Sequence, residues 1–443
     1  MNLESIKSGI LAFLVVVSMV LTLSIWNFSN YEEINEATTK QISINGKDAE
    51  LNEVILPSQM VFHQQNQSYQ LKNRTDQFSF YQDIQDWNVS LSNQAANAQD
   101  PGASYVEMIY PAEIPLNLLP NLMQFSEENR NASFPDWSFN RLVLIPNHDS
   151  DSITLSFRST QHEQTFNAEV QNPESYTALV NYTQSEDALS ELVAYELNDR
   201  VIYLPENETV LSKQTYTTSS IAVGPLINNL FPVTSYVRET SGGRYIDGSR
   251  MLEEYQVFPN QKYMRFVNPK NEEKAQVGAG FSREELISEA NLFINNHDGW
   301  TQDYMLTNAE INSEHSTVTF DMLFNGYPVV SKLGHIEQRW INRELNTYIR
   351  PLMRLSTPLG SETVTLRSGE DIIYLLEEAE GPLTVPKKTI EDIQMVYTMS
   401  SEEEGYSSDI ITLEPAWFMK SNGRWMPVPE NGDMLNVQGG SRS

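Results

Sequence analysis

The feature that most constrains this chain is an almost uninterrupted apolar segment at its N-terminus. Lys7 precedes the run SGILAFLVVVSMVLTLSIW, which extends from Ser8 to Trp26 and is followed by polar and acidic residues. At about 1.5 Å of rise per residue, a helix of this length is roughly 28 Å long, close to the ~30 Å hydrocarbon core of a bilayer. The sequence therefore predicts a membrane anchor, with residues 8–28 as the transmembrane helix.

The alternative interpretation is a cleaved secretory signal, because the apolar run is N-terminal and follows a short charged segment. The run is longer than the usual signal core of ~7–15 residues. No small-x-small cleavage site follows Ser24, and Trp26 and Phe28 occupy that region instead. The uncleaved anchor is the favoured prediction, and a single pass is expected because no second apolar stretch of similar length occurs.

The charges that flank the anchor predict its orientation. The inner flank carries Lys7, whereas the outer flank has three glutamates before its first cation, Lys40. Positive charge is favoured on the cytoplasmic side. Residues 1–7 are therefore predicted to be a cytoplasmic tail, residues 29–40 a polar stalk, and the rest an extracytoplasmic body at the cell membrane.

Composition narrows the compartment and the class of partner. The chain has no cysteine, which is unusual for a large exported domain of an animal secretory pathway and favours a Gram-positive bacterial surface. Asp and Glu number 59 against 29 Lys and Arg, giving a net charge of −30. Nucleic acid is therefore excluded as a partner, and anionic lipid headgroups are disfavoured. The acidic excess has two interpretations, a solvated surface or a cation-binding surface.

The body is predicted to be α+β, with several domains built from antiparallel sheets and α-β-β units. Short alternating runs of aromatic and β-branched residues indicate many strands and few long helices. The predicted domains are an N-terminal domain at 41–170, a central domain at 171–275 and a C-terminal domain at 281–430, with a flexible tail at 431–443.

The C-terminal domain has the clearest local signals. Ser282 and Glu285 form a capping box before an apolar helix face, and Asn325-Gly326 marks a hairpin turn between strands. A second helix begins at Gly369 and is followed by strands and the turn Asn422-Gly423. The segment from Ile341 to Met353 has helical periodicity, but Pro351 and its bulky neighbours allow a strand pair instead.

A search for catalytic motifs finds none complete. His162-Glu163 begins like a zinc-protease helix, but Phe166 stands where the second ligand is needed. The pairs of histidine and carboxylate at His148-Asp149 and His297-Asp298 are typical of surface loops. No catalytic, cofactor-binding or metal-ligating residue is predicted, and no cofactor is expected. A glycosidase stays open, because its two carboxylates need no sequence motif.

The anchor itself offers a candidate interaction site. Small and hydroxyl side chains let transmembrane helices approach closely and hydrogen-bond to each other. One face of the predicted helix carries such residues at helical spacing and could dock against another membrane helix. A generic anchor, whose hydroxyls bond their own backbone, is the alternative. The face consists of Ser8, Ala12, Val15, Ser18, Met19 and Thr22.

Several longer motifs resemble the YycH family over essentially the whole chain. They are IKS before the single span, YLPENETVL followed by IAVGPLINNLFP, YIRPL at residues 348–352, and LEPAWFMKSNGRWMPV near the C-terminus. These motifs mark structure and not chemistry. The resemblance implies that the later part of the body is similar in fold to the sister protein YycI, and that the segment from Ile341 to Met353 is strand.

The resemblance also implies a function. Members of the family are extracytoplasmic regulators of the WalK-WalR (YycG-YycF) two-component system, which controls cell-wall metabolism. The implied partners are the sensor histidine kinase WalK (YycG) and YycI, with contacts between transmembrane helices and possibly between ectodomains. An anchored hydrolase or ligand-binding protein directed at the cell wall is the alternative.

Overall fold

The computed structural model divides into two compact units, Met1–Ile42 and Ser43–Ser443. It describes Ser18 and residues 46–91, 101–129, 132–160, 164–198, 200–240, 242–269, 280–297, 299–378, 386–401 and 409–429. Within these residues, none of the helices has both the length and the apolar character needed to cross a bilayer. The predicted tail at 1–7, the stalk at 29–40 and the tail at 431–443 lie outside the described residues, as does segment 8–28 apart from Ser18.

The elements of the second unit are mostly strands, in agreement with the predicted α+β class. The helices in the described ranges are α1 Leu51–Val54, α2 Arg74–Gln85, α3 Leu119–Leu122, α4 Pro173–Gln184, α5 Val223–Leu230, α6 Arg283–Asn296 and α7 Gly369–Glu378. The strands of the first half are β1 Gln59–Gln64, β2 Gln67–Leu71, β3 Asn88–Leu91, β4 Ser104–Pro115, β5 Gln124–Phe125, β6 Ser138–Asn147, β7 Ser152–Arg158, β8 Thr165–Val170, β9 Leu189–Leu197 and β10 Arg200–Pro205. Those of the second half are β11 Thr209–Ser220, β12 Arg238–Thr240, β13 Arg244–Ile246, β14 Met251–Phe258, β15 Gln261–Val267, β16 Tyr304–Ile311, β17 Ser316–Phe324, β18 Tyr327–Val330, β19 His335–Ile341, β20 Glu344–Pro351, β21 Met353–Leu366, β22 Ile390–Ser400, β23 Ile410–Ser421 and β24 Arg424–Pro427.

The strands of the first half form one sheet, in the order β10-β9-β2-β1-β4-β6-β7-β8-β3-β5. Alternate residues of β4 are buried, which gives this sheet one face for packing against helices. Phe80 of α2 lies 6.2 Å from Phe62 of β1 and 4.2 Å from Tyr182 of α4, measured between ring centroids. The side chain of Phe80 is fully buried, so α2 and α4 cover the sheet through a shared aromatic contact.

The strands of the second half form another sheet, whose path runs β12-β13-β14-β15-β20-β19-β17-β18-β22-β23-β11-β21, with β16 on β17 and β24 on β23. The predicted capping box of α6 is confirmed: the Glu285 amide donates to Ser282 Oγ at 3.1 Å, and the Ser282 amide donates to Glu285 Oε2 at 2.9 Å. Leu286, Ala290 and Ile294 of α6 are fully buried against the sheet. The second predicted helix, α7, is present with the predicted bounds.

The segment from Ile341 to Met353 is strand, so its helical interpretation is wrong. It contains the end of β19, the turn Asn342-Arg343 with both φ angles positive, and β20. Asn346, Tyr348 and Arg350 on one face of β20 are buried, with the Tyr348 ring centroid 5.3 Å from that of Phe293 in α6, and the opposite face is also partly covered. Burial on both faces removes the simple alternation that identifies a strand. Helix α3 is short, since it ends at Leu122 and β5 begins at Gln124.

Sheet membership changes between β10 and β11, inside the range predicted as a central domain. β9 pairs with β2 of the first sheet, whereas β11 pairs with β21 and β23 of the second. A division into domains at 170 and 275 stays a prediction, but the strands of 171–275 do not form a sheet of their own. Buried apolar residues continue from one sheet layer into the other as one core cluster.

Candidate functional site

An open cleft of about 1550 Å³ lies between the two sheet layers. The first layer contributes residues of β4, β6 and β10, and the second contributes residues of β16 to β19, β22 and β23. Its lining is unusually rich in cations for so acidic a chain. Among the described residues, the cleft is lined by the basic residues Arg74, Arg141, Arg200, Lys332, Lys420 and Arg424, by His335, and by the acidic residues Glu107, Glu113, Glu310, Asp321, Glu337, Glu391 and Asp392.

One charged cluster lies on the first layer. His63 Nε2 is 3.3 Å from Glu107 Oε2, and Arg141 Nε is 3.4 Å from Glu107 Oε1. The His63 ring stacks on Tyr105 with 4.2 Å between centroids. Burial alone would raise the pKa of the Glu107 carboxyl, but the hydrogen bond from His63 and the charge of Arg141 hold this pKa below its ordinary value. Glu107 is therefore ionised at neutral pH.

A second charged cluster lies on the second layer. His335 Nδ1 is 2.8 Å from Asp321 Oδ1, and His335 Nε2 is 3.4 Å from Glu337 Oε2. Thr307 Oγ1 donates to the other oxygen of Asp321 at 2.8 Å. Burial works to lower the pKa of His335, but its bonds to the two carboxylates outweigh this and raise the pKa to about 9. At neutral pH, His335 is an imidazolium that donates from both nitrogens, which is the opposite of a metal-ligating histidine.

The cross-strand geometry explains how this second cluster forms. His335 and Glu337 are two residues apart on β19 and lie on the same side of the sheet. Asp321 is the direct partner of His335 on the antiparallel strand β17. The sequence indicates His335 and Glu337 through the alternation His335-Ile336-Glu337. Asp321 can be assigned to the cluster only once the strand register is known.

Asp392 lies among the cations at the end of the cleft formed by β22 and β23. Its Oδ1 accepts from the Ile393 amide at 2.8 Å, and within the described part of the chain no lysine or arginine nitrogen lies within 4.0 Å of it. Burial raises the pKa of this carboxyl, and the nearby charges of Lys420, Arg141 and Arg200 partly oppose that shift. Asp392 is therefore a carboxylate surrounded by cations but bonded to none of them.

Arg74 connects the two layers beside this cleft. It lies at the start of α2, and its guanidinium donates to the carbonyl oxygens of Ser58 in the first layer and Gly326 in the second. The guanidinium carbon is 5.2 Å from the centroid of the Tyr327 ring. Burial lowers the pKa of Arg74 below its ordinary value, but the group stays charged at neutral pH.

His148 and His297, two of the histidines that the sequence singles out, contact neighbouring groups of the fold. His148 is exposed, and its Nδ1 lies 2.5 Å from the Tyr176 hydroxyl. His297 ends α6, where its Nδ1 is 2.6 Å from the Phe293 carbonyl oxygen. His162-Glu163 lies outside the described residues, and Phe166 belongs to strand β8. Within the described ranges, no group of three histidine or carboxylate side chains is placed to hold a metal ion.

The candidate transmembrane face lies almost entirely outside the described residues. Of its members, Ser18 is described, and it is helical and exposed. The remaining members are Ser8, Ala12, Val15, Met19 and Thr22.

Comparison with known proteins identifies two family models that cover most of the chain. The model described as YycH protein, N-terminal domain, matches residues 4–188, and the model described as YycH protein, C-terminal domain, matches residues 199–434. The chain is also 23% identical over 472 residues to the two-component system WalR/WalK regulatory protein YycH of Bacillus subtilis (strain 168), covering 99% of each chain.

The fold agrees with a solved structure. The chain is similar to the crystal structure of YycH from Bacillus subtilis, with a TM-score of 0.70 and 18% sequence identity. The match covers 88% of this chain and 99% of that one. At this identity, the likeness establishes the fold and not the chemistry of any site.

Proposed function

Because the chain belongs to the YycH family, we propose that it regulates a WalR/WalK two-component system. The observation that carries this proposal is the match of both family models, one after the other, along nearly the whole chain. The relative from Bacillus subtilis that bears this regulatory name is aligned over 99% of its own length.

We further propose that the protein acts from the outer side of the cell membrane of a Gram-positive bacterium. Segment 8–28 would be its single transmembrane helix, and the sheet layers would form its extracytoplasmic body. Its partners would be the sensor histidine kinase WalK (YycG) and YycI. The apolar run at Ser8 to Trp26 and the absence of cysteine support this placement.

A regulator of this kind needs no catalytic group. It has to bind one signalling state of the kinase more tightly than the other, and about 1.4 kcal/mol of difference changes the ratio of the two states tenfold. Interhelical contacts in a membrane contribute about 1–2 kcal/mol each at most. One or two well-packed positions on the candidate face are therefore sufficient to supply the regulatory energy.

The test is co-purification of the full-length protein with its kinase, beside a version whose residues 8–26 are replaced by an unrelated membrane helix. If the anchor carries the interface, the replacement abolishes capture and alters phosphorylation of the response regulator. Unchanged capture together with unchanged kinase output would contradict the role of the anchor and place the contact in the body. Failure of both versions to bind the kinase or YycI would contradict the regulatory proposal.

A point substitution sharpens this test with a matched control. Ala12 has the smallest side chain of the candidate face, and Val17 lies on the opposite side of the predicted helix. Ala12→Leu adds bulk where close approach is needed, so capture of the kinase should fall roughly tenfold. Val17→Leu adds one methylene to the lipid-facing side and should leave capture unchanged. Equal loss in both variants would indicate a general defect in membrane insertion.

A further inference from the structure

Basic residues are more frequent in the lining of the cleft than in the chain as a whole, which is strongly acidic. The whole chain has about two acidic residues for each basic one, at 59 to 29. The cleft instead combines six lysines and arginines and the imidazolium of His335 with seven carboxylates. A charge-balanced recess within a surface of net charge −30 is a local electrostatic feature that an anion could recognise.

Three of the four cations at one end of the cleft form no ion pair with the other described residues. Across the residues described, Arg200, Lys420 and Arg424 have no carboxylate oxygen within 4.0 Å. Arg141 does pair with Glu107 through Nε, but its buried Nη1 has no hydrogen-bond partner among the described residues. We call these four residues, Arg141, Arg200, Lys420 and Arg424, the basic end of the cleft. A buried guanidinium nitrogen without a partner costs free energy unless a ligand or water satisfies it.

The two sheet layers supply this basic end from opposite sides. Arg141 and Arg200 come from β6 and β10 of the first layer, and Lys420 and Arg424 come from β23 and β24 of the second. Trp425 is beside them, with the Lys420 ammonium 5.9 Å from its ring centroid. Asp392 is the carboxylate within this group, and Glu391 is already used by the Gly423 amide at 3.0 Å. Four cations therefore line this end of the cleft, and Asp392 is a carboxylate there that would oppose an incoming anion.

We propose that the basic end of the cleft binds a ligand that carries oxyanion groups, either phosphate or carboxylate. Guanidinium groups present paired N–H donors that match the oxygens of both anions, and the lysine adds a point charge. A bound oxyanion would accept a hydrogen bond from Arg141 Nη1 and would contact cations of both sheet layers. The proposal goes beyond regulation of the kinase and does not depend on it.

Calorimetric titration of the full-length protein in a non-ionic detergent tests this site. Inorganic pyrophosphate is the phosphate probe and citrate is the carboxylate probe, each at 50 and 500 mM NaCl. Saturable binding of one or both probes is expected, weakened at the higher salt concentration because exposed charges are then screened. Binding of one probe alone identifies the chemical class of the ligand.

Three variants test whether a probe binds at the basic end of the cleft. The double variant Arg200→Ser/Lys420→Ser removes one cation from each layer and should weaken binding by roughly tenfold or more. The control is Arg238→Ser, which removes an exposed cation of β12 outside the cleft and should bind as the unaltered protein does. Asp392→Asn removes a carboxylate that opposes an incoming anion and should tighten binding several-fold.

The double variant is expected to weaken binding, whereas Asp392→Asn is expected to tighten it. A misfolded variant loses binding, but it does not gain affinity as Asp392→Asn is expected to do. The absence of saturable binding for both probes would overturn the proposal. So would equal affinities of the double variant and the Arg238→Ser control, or a weakening of affinity in a folded Asp392→Asn protein.

Discussion

His335 shows how two neighbouring carboxylates control the charge of one residue. Its side chain is 22% exposed and lies between Asp321 and Glu337. The pKa in the folded protein is about 9 against 6.5 for an unperturbed histidine. A group whose pKa is raised on folding stabilises the folded state below its unfolded pKa, and the effect is lost as the pH rises through the folded pKa.

We therefore expect the free energy of unfolding to fall between about pH 6.5 and pH 9 through the loss of the imidazolium. The contribution of His335 is at most about 3 kcal/mol, from the size of the pKa shift. Urea denaturation at several pH values, for the unaltered protein and for His335→Asn, measures it. The difference in stability between the two proteins should be largest below pH 6.5 and should shrink toward pH 9.

A matched control separates this effect from other ionisations in the same pH range. His148→Asn changes an exposed histidine that contacts Tyr176 and, among the described residues, forms no ion pair with a carboxylate. Its stability should follow the pH profile of the unaltered protein. A difference between the unaltered protein and His335→Asn that stays constant from pH 6 to pH 9 would show that His335 contributes by packing and not by charge.

At the scale of elements, the two Asn-Gly turns provide a natural comparison. Both place a glycine at positive φ, with 80° at Gly326 and 72° at Gly423. A Cβ on Gly326 would lie 2.6 Å from Arg74 Cγ and 2.8 Å from the Phe78 ring, whereas a Cβ on Gly423 would meet nothing within 4 Å. Both turns therefore require a residue with positive φ. They differ because, of the two glycines, Gly326 is the one that lies close to α2 of the other sheet layer.

Gly423→Ala should cost only the backbone strain of positive φ, about 1 kcal/mol. Gly326→Ala should cost clearly more, by about 1–3 kcal/mol, because α2 has to move away from the turn. Chemical denaturation of both variants measures the two values. Equal losses would show that α2 accommodates the added methyl group and that the contact between the layers is loose at this point.

Local sequence signals predicted the elements well and their pairing poorly. The capping box at Ser282, both Asn-Gly turns and helix α7 depend on residues within a few positions of each other, and all are present. The segment from Ile341 to Met353 was ambiguous because β20 is covered on both faces, so its apolar residues follow no period of two. Resemblance to a family, and not periodicity, gave the correct strand assignment there.

At the scale of the whole molecule, the cleft depends on contacts that no local pattern encodes. β9 joins β2 across more than a hundred residues, and Arg141 lines the same cleft as Lys420 and Arg424 because strands of both sheets contribute to it. The sequence showed a general acidic excess but could not show where the cations gather. For the same reason, the range 171–275 looked like a domain although its strands are shared between two sheets.

The two sheet layers share one apolar core, and this predicts how the folded body unfolds. Apolar burial continues from Phe62 and Phe80 in the first layer to Phe320 and Tyr397 in the second as one cluster. Arg74 bonds carbonyl groups of both layers, and the Lys47 and Trp300 backbones exchange hydrogen bonds of 2.8 Å. Neither layer can therefore unfold without exposing apolar surface of the other.

We expect residues 43–443 to unfold in a single cooperative transition, with equal calorimetric and van't Hoff enthalpies in differential scanning calorimetry. Gly326→Ala adds a direct test, because it weakens one contact between the layers. In a cooperative molecule, the substitution moves the whole transition to a lower temperature. If the layers were separate domains, the scan would show two transitions, and the substitution would move the transition of the second layer alone. That result would restore a division of the body into independent domains, with a boundary between β10 and β11 instead of at residue 170.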